Sequence, residues 1–201
     1  GQNANIDENI KLTEWLESNL EKFDIVVVPD YGNGFITDSM TEVISRKSKF
    51  LAVNTQINSG NRGYHVVNRY NSANFISLNE PEIRLARHNR IDSIADLSKI
   101  TAELLNAGFI SVTQGSSGLH TYAVDENLSF KVPALSSNVV DRVGAGDAFL
   151  SLASICLGSG IDTEISVFIG ATAAAIDVQI IGNQNTVNNV DLVKYISALL
   201  K

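Results

Sequence analysis

Apolar positions change their spacing several times along the chain, and each change marks a predicted element. Leu12, Trp15, Leu16, Leu20 and Phe23 recur every three or four residues, which predicts an amphipathic opening helix over about residues 7 to 22. The β-branched run Ile25-Val26-Val27-Val28 is too short for a helix and reads as a buried strand. Pro29-Asp30-Tyr31-Gly32-Asn33-Gly34 then breaks the chain, and Ser39-Met40-Thr41-Glu42 has the form of a capping box opening a second helix. The cycle repeats with strands at Phe50–Val53, Phe75–Leu78 and Phe109–Thr113, and a helical pattern over about 92 to 106. Strands alternating with helices predict an α/β fold with a mostly parallel sheet.

Beyond Gly118 the texture becomes two short alternating runs, His120 to Val124 and Leu128 to Val132, around Asp125-Glu126-Asn127, which predicts an antiparallel hairpin. Three helices are predicted after Gly144, over about 145 to 157, 162 to 178 and 190 to 200. The middle one is apolar on nearly all sides, as expected of a helix buried against the sheet or a partner. The three prolines and scattered glycines form no linker, so one domain over residues 1–201 is the simplest division.

Composition narrows the partner classes. Asp and Glu number 22 against 15 Lys and Arg, a formal net charge of −7, and no basic run occurs, which argues against nucleic acid or an anionic membrane surface. Cys156 is the sole cysteine, which excludes an intrachain disulfide and a cysteine metal cluster; it reads as core filler. With no membrane-length apolar stretch and no leader pattern in residues 1 to 20, the expected compartment is the cytosol, unless the chain is cut from a longer one.

Ligands of a parallel α/β sheet bind beyond the carboxyl ends of its strands. The residues there are Asp30, Asn54, Asn79 with Glu82, and Thr113-Gln114-Gly115. Asn54 reads equally well as an ordinary loop polar residue. Asn79 and Glu82, an amide and a carboxylate three residues apart, suit a hydrated Mg²⁺. The sharpest feature is Asp141-Arg142-Val143-Gly144-Ala145-Gly146-Asp147-Ala148-Phe149, a glycine-rich turn entering a helix. Such a turn exposes backbone N–H groups at the positive end of the helix dipole, a trap for phosphate. The spacing is that of neither a Walker loop nor a dinucleotide fingerprint. Asp147 either caps the helix or acts as the base that takes a proton from an attacking hydroxyl, and this motif alone leaves both open. His65, His88 and His120 fall on different elements and read as surface or loop residues rather than a zinc site. Arg62 and Arg69 read as solvated loop charges before contacts to a phosphorylated acceptor.

Five ordered segments resemble the C-terminal part of the PfkB family of carbohydrate kinases, with the ribokinase-like fold. They are Val28 to Gly34, Asn79-Glu80-Pro81-Glu82, Val112 to Gly118, Asp141 to Phe149, and the alanine-rich helix ending near Gly182. The resemblance implies a three-layer α/β sandwich, shortened at its N-terminus, that transfers phosphate from ATP with Mg²⁺ to a sugar or sugar phosphate. By it Asp147 is the catalytic base and Gly144, Ala145 and Gly146 form the anion hole. Thr113, Gly115, Gly118 and Gly182 would line the nucleotide, and Asn79 and Glu82 would act indirectly on Mg²⁺. Asp141 and Val143 would flank a monovalent cation such as K⁺, and Asp30 would face the substrate. The Asp30-Tyr31-Gly32 stretch is most similar to kinases of sugar phosphates such as heptose 7-phosphate.

Two departures bear on activity. Arg142 and Val143 replace the Thr-Thr of many members, and the chain lacks the early strands and lid that hold the sugar. Loss of acceptor positioning, worth up to about 7 to 11 kcal/mol, implies weak ATP binding and slow transfer by this chain alone. Alternatives are a non-catalytic nucleotide-binding or assembly module of a longer protein, and a vitamin or nucleoside kinase of the same fold. The partner expected at the exposed sheet edge is a second copy or the rest of a longer chain.

Overall fold

A computed structural model describes residues 6–61, 63–136, 143–180 and 186–201. The chain runs α1 (Ile6–Asn19), β1 (Val26–Asp30), α2 (Asp38–Lys47), β2 (Leu51–Thr55), β3 (Phe75–Asn79), α3 (Glu80–Ala86), α4 (Ile94–Leu104) and β4 (Phe109–Thr113). It continues through β5 (Leu119–Ala123), β6 (Leu128–Val132), α5 (Ala145–Gly158), α6 (Thr163–Asp177) and α7 (Asn189–Leu199). The six strands lie side by side in chain order; β1 to β4 are parallel, and β5 and β6 form the predicted antiparallel hairpin.

Because β1 to β4 advance in one direction across the sheet, crossovers of one hand place their helices on one face. Period-two alternation then supplies two cores. Leu51, Val53, Ile76, Leu78, Ile110 and Val112 point toward α2, α3 and α4, while Ala52, Phe75 and Leu119 point toward α5 and α6. The result is a three-layer sandwich. Phe149 of α5 meets Phe75 of β3 edge to face, with centroids 6.2 Å apart, which fixes the start of α5 over the sheet. Gly170 of α6 lets the two helices close, since a Cβ there would lie 2.9 Å from Cβ of Ala153.

Several local expectations change. The capping box predicted at Ser39 lies inside α2; the cap is Thr37, whose Oγ1 accepts the Met40 N–H at 3.4 Å. Helix α3 was not predicted, because its N-cap residues read as ligand-binding groups. Helix α6, expected against the sheet or a partner, packs chiefly on α5, and Ile165 on its outer face is 53% exposed. His120 is not a surface residue: it is buried in β5, with Nε2 2.8 Å from Ser129 Oγ. Among the described residues no helix is long and apolar enough to cross a membrane.

Candidate active site

The N-terminus of α5 rises beside the carboxyl ends of the parallel strands. Gly144 caps it in the left-handed region, φ +96°, with no side chain closing the helix end. The first helical bond is Ala148 N–H to Gly144 O at 2.9 Å, so the N–H groups of Ala145, Gly146 and Asp147 precede the ladder. Around Gly146 a Cβ would meet nothing within 4 Å. Open space, leading N–H groups and the helix dipole together make this end receptive to an anion.

Asp147 is tied across the site to β1. The Tyr31 hydroxyl donates to Asp147 Oδ2 at 2.6 Å, linking residues 116 positions apart. The carboxylate beside it, with burial, pushes the Tyr31 phenol up to about 12. Tyr31 is held from behind, as Asn58 Nδ2 donates to its carbonyl at 2.6 Å.

Asp30, expected to face the substrate, is turned inward and is 3% exposed. Its carboxylate accepts from His65 Nε2 at 2.9 Å, Arg69 Nη1 at 3.0 Å, the Tyr70 hydroxyl at 2.8 Å and the Gly32 N–H at 3.2 Å. Burial alone would raise this carboxyl, but the bonds from His65 and Tyr70 and the charge of His65 outweigh it and hold it below the usual range. Arg69 is no solvated loop charge either: Nη2 also donates to Ile36 O and Asp38 Oδ1, both at 2.9 Å. One guanidinium thus grips the β1–α2 loop at both ends. The pairing of His65, Arg69 and Tyr70 with Asp30 went unrecognised in the sequence, where the signal was an isolated polar stretch 35 to 40 residues beyond Asp30.

Asn79 and Glu82 form a reciprocal capping box on α3. Asn79 Oδ1 accepts Glu82 N–H at 2.9 Å, and Glu82 Oε2 accepts Asn79 N–H at 2.8 Å. Glu82 Oε1 takes the Ile57 N–H at 3.3 Å, and burial pushes this carboxyl up against those bonds. Both Glu82 oxygens therefore already accept backbone hydrogens. Among the described residues no three His, Cys, Asp or Glu cluster as metal ligands. The fit to Mg²⁺ is that of an ion carried largely by phosphate oxygens and water, as Mg²⁺ favours, with the chain touching it indirectly.

Thr113 ends β4 next to Asn79 of β3, and Gln114 Nε2 reaches Glu80 Oε2 at 3.0 Å. Gly115 opens onto free space, whereas a Cβ on Gly118 would collide with the Val132 carbonyl, so Gly118 serves the turn. Val143 is 72% exposed just ahead of α5. Asp141, Gly182, Arg62 and Arg142 lie outside the described residues. A cleft of about 680 Å³ opens between α6 and α7, lined by Gln179, Asn188, Lys194 and Tyr195 among others.

A family model described as pfkB family carbohydrate kinase matches residues 3–189. The chain is 27% identical over 184 residues to bifunctional protein HldE of Desulfatibacillum aliphaticivorans, covering 90% of this chain and 37% of that protein. It is 29% identical over 170 residues to bifunctional protein HldE of Campylobacter fetus subsp. fetus, covering 83% and 36%. The chain thus spans little more than a third of the curated relatives it matches. Among solved structures, phosphofructokinase-2 from Escherichia coli in complex with potassium superposes with a TM-score of 0.80 at 16% identity, over 98% of this chain and 63% of that one. A ribokinase from Arabidopsis thaliana complexed with ribose and ATP gives 0.72 at 18% identity, over 98% and 60%. These likenesses fix the fold as ribokinase-like and leave the N-terminal part of those neighbours without a counterpart here. The match over residues 3–189 carries the assignment further: the chain belongs to the pfkB family of carbohydrate kinases.

Proposed function

We propose that this chain is the nucleotide-binding, base-carrying part of an ATP-dependent kinase acting on a sugar or sugar phosphate. The observation that carries the reading is the glycine-capped start of α5, which presents three leading N–H groups on the same turn as the Asp147 carboxylate. Asp147 takes the proton of an acceptor hydroxyl as its oxygen bonds to the γ-phosphorus and the bond to the bridging oxygen of ADP breaks. The N–H groups of Ala145, Gly146 and Asp147 meet the charge on the transferring phosphoryl. Bound Mg²⁺ would neutralise phosphate charge, with Asn79 and Glu82 acting on it through water. Thr113, Gly115, Gly118 and Gly182 are the proposed nucleotide-lining residues, and Val143 with Asp141 the proposed flank of a monovalent cation. The Asp30-Tyr31-Gly32 stretch, similar to that of sugar-phosphate kinases, favours a sugar-phosphate acceptor.

A second reading, a nucleotide-binding module without catalysis, draws support from the engagement of both Glu82 oxygens by the backbone. Calorimetric titration with ATP, with and without Mg²⁺, tests the site through Gly146→Ala. This change has room in the fold and suits a helix, so the melting temperature holds or rises; replacing Gly by Ala gains roughly 0.5 to 1 kcal/mol in a helix interior. ATP affinity should nevertheless fall at least tenfold, and an unchanged affinity would remove the phosphate from this turn. In phosphoryl transfer, Asp147→Asn should lower turnover by about 10² to 10⁴-fold at retained ATP binding, as loss of a general base does. Retained binding with no transfer by the full-length protein would instead establish the non-catalytic reading.

A further inference from the structure

Resting on the reading of Asp147 as the base, we infer that Tyr31 is its positioning residue: the phenol holds one carboxylate oxygen so that the other is presented to the acceptor hydroxyl. The 2.6 Å bond from the Tyr31 hydroxyl occupies Asp147 Oδ2, which leaves Oδ1 to receive the proton. An orienting partner on the base completes the geometry such sites require.

The phenol suits this task because it does not compete for the proton. Raised to about 12, it stays protonated at working pH and donates throughout the reaction. Its own placement is fixed at three points. Asn58 Nδ2 holds the Tyr31 carbonyl, the buried Asp30 cluster anchors the preceding residue, and Gly32, at φ +67°, packs so closely on Asn61 and His65 that a Cβ would not fit. Arg69 closes the far end of the loop on Ile36 and Asp38. The side chain, 42% exposed, stands at the open side of the site, where an acceptor would enter. The buried charge on Asp30 thus bears on the reaction through one residue.

Two measurements test this. In a chain labelled with ¹³C at tyrosine Cζ, the Tyr31 resonance is assigned by its loss in Tyr31→Phe. Asp147→Asn should shift that resonance and leave the other tyrosines in place; a Tyr31 signal unmoved by this change overturns the contact and the inference with it. The kinetic arm uses the full-length protein and Mg·ATP with heptose 7-phosphate, fructose 6-phosphate and ribose, each supplied as acceptor. Tyr31→Phe should lower kcat about tenfold with the KM for ATP unchanged, in the range expected of an orienting hydrogen bond. Combined with Asp147→Asn it should cost nothing further, because Tyr31 acts only through that carboxylate. Equal losses in both backgrounds, or a change confined to KM, would overturn the positioning role. No transfer by the unmodified full-length protein, with the resonance still responsive, would remove the base reading and leave the Tyr31 bond purely structural.

Discussion

Arg69 and Asp30 show how much of this site depends on charges paired with each other inside the fold. Removing the guanidinium leaves a carboxylate that is 3% exposed with one ionic partner fewer, and breaking a buried pair in this way costs about 3 kcal/mol. Arg69→Met should therefore lower the melting temperature by roughly 6 to 12 °C for a chain of this size, read by calorimetry. A loss under one or two degrees would mean that the loop re-closes without it. At this scale the sequence was partly legible. The Gly144 to Asp147 turn was readable as a glycine-led helix start because its residues are contiguous. Asp30 was visible as a polar residue ending a strand, but its inward turn was not, since its partners lie on a loop that only the fold brings back. At Glu82 the capping box went unforeseen for the opposite reason: the Asn-x-x-Glu spacing that suits a hydrated Mg²⁺ is also the spacing of a capping box, and both uses begin at a strand end.

Elements were easier to read than their ends. Every predicted strand is present to within two residues, because β-branched runs bounded by turn residues leave few alternatives. The seven-residue α3 escaped notice, as it is too short to show a period. The alanine-rich pattern of α6 was read as burial against the sheet or a partner, whereas its small residues serve a close approach to α5, with Gly170 against Ala153. Strand β1 has β2 on one side and no strand on the other among the described residues. Such an edge recruits further chain, and only Pro29 interrupts its row of N–H groups. Sizing chromatography with light scattering should give a mass that rises with concentration. A constant monomer mass at every loading would show that the edge is shielded.

For the whole molecule, acid sensitivity follows from where its titratable groups sit. Burial, and secondarily the charge of Lys131, lowers the His120 imidazole, so the unfolded chain takes up a proton first and folding stability falls as pH drops through 6.5. The Asp30 carboxyl is depressed, so its contribution is complete above 3.8 and is lost as pH falls through its lower folded value. Glu82, raised by burial, works the other way and offsets part of the loss. Thermal unfolding should show stability declining from neutral pH in two stages, and His120→Gln should flatten the first. A first stage that survives this substitution would point to other groups.

The strict chain order of the strands also has a kinetic side. Each new strand finds its neighbour already beside it, so the sheet and its first helical layer can form from contacts of short loop length as the polypeptide appears. Helix α5 is different: it follows the last strand yet must travel back across the sheet to lie over β1, β2 and β3. The pairing of Tyr31 with Asp147 is therefore among the most costly loops to close and should be among the last to form. A partly folded chain would carry a finished sheet without the α5 turn proposed to hold phosphate, so the nucleotide binding proposed there would report completion of folding rather than its onset.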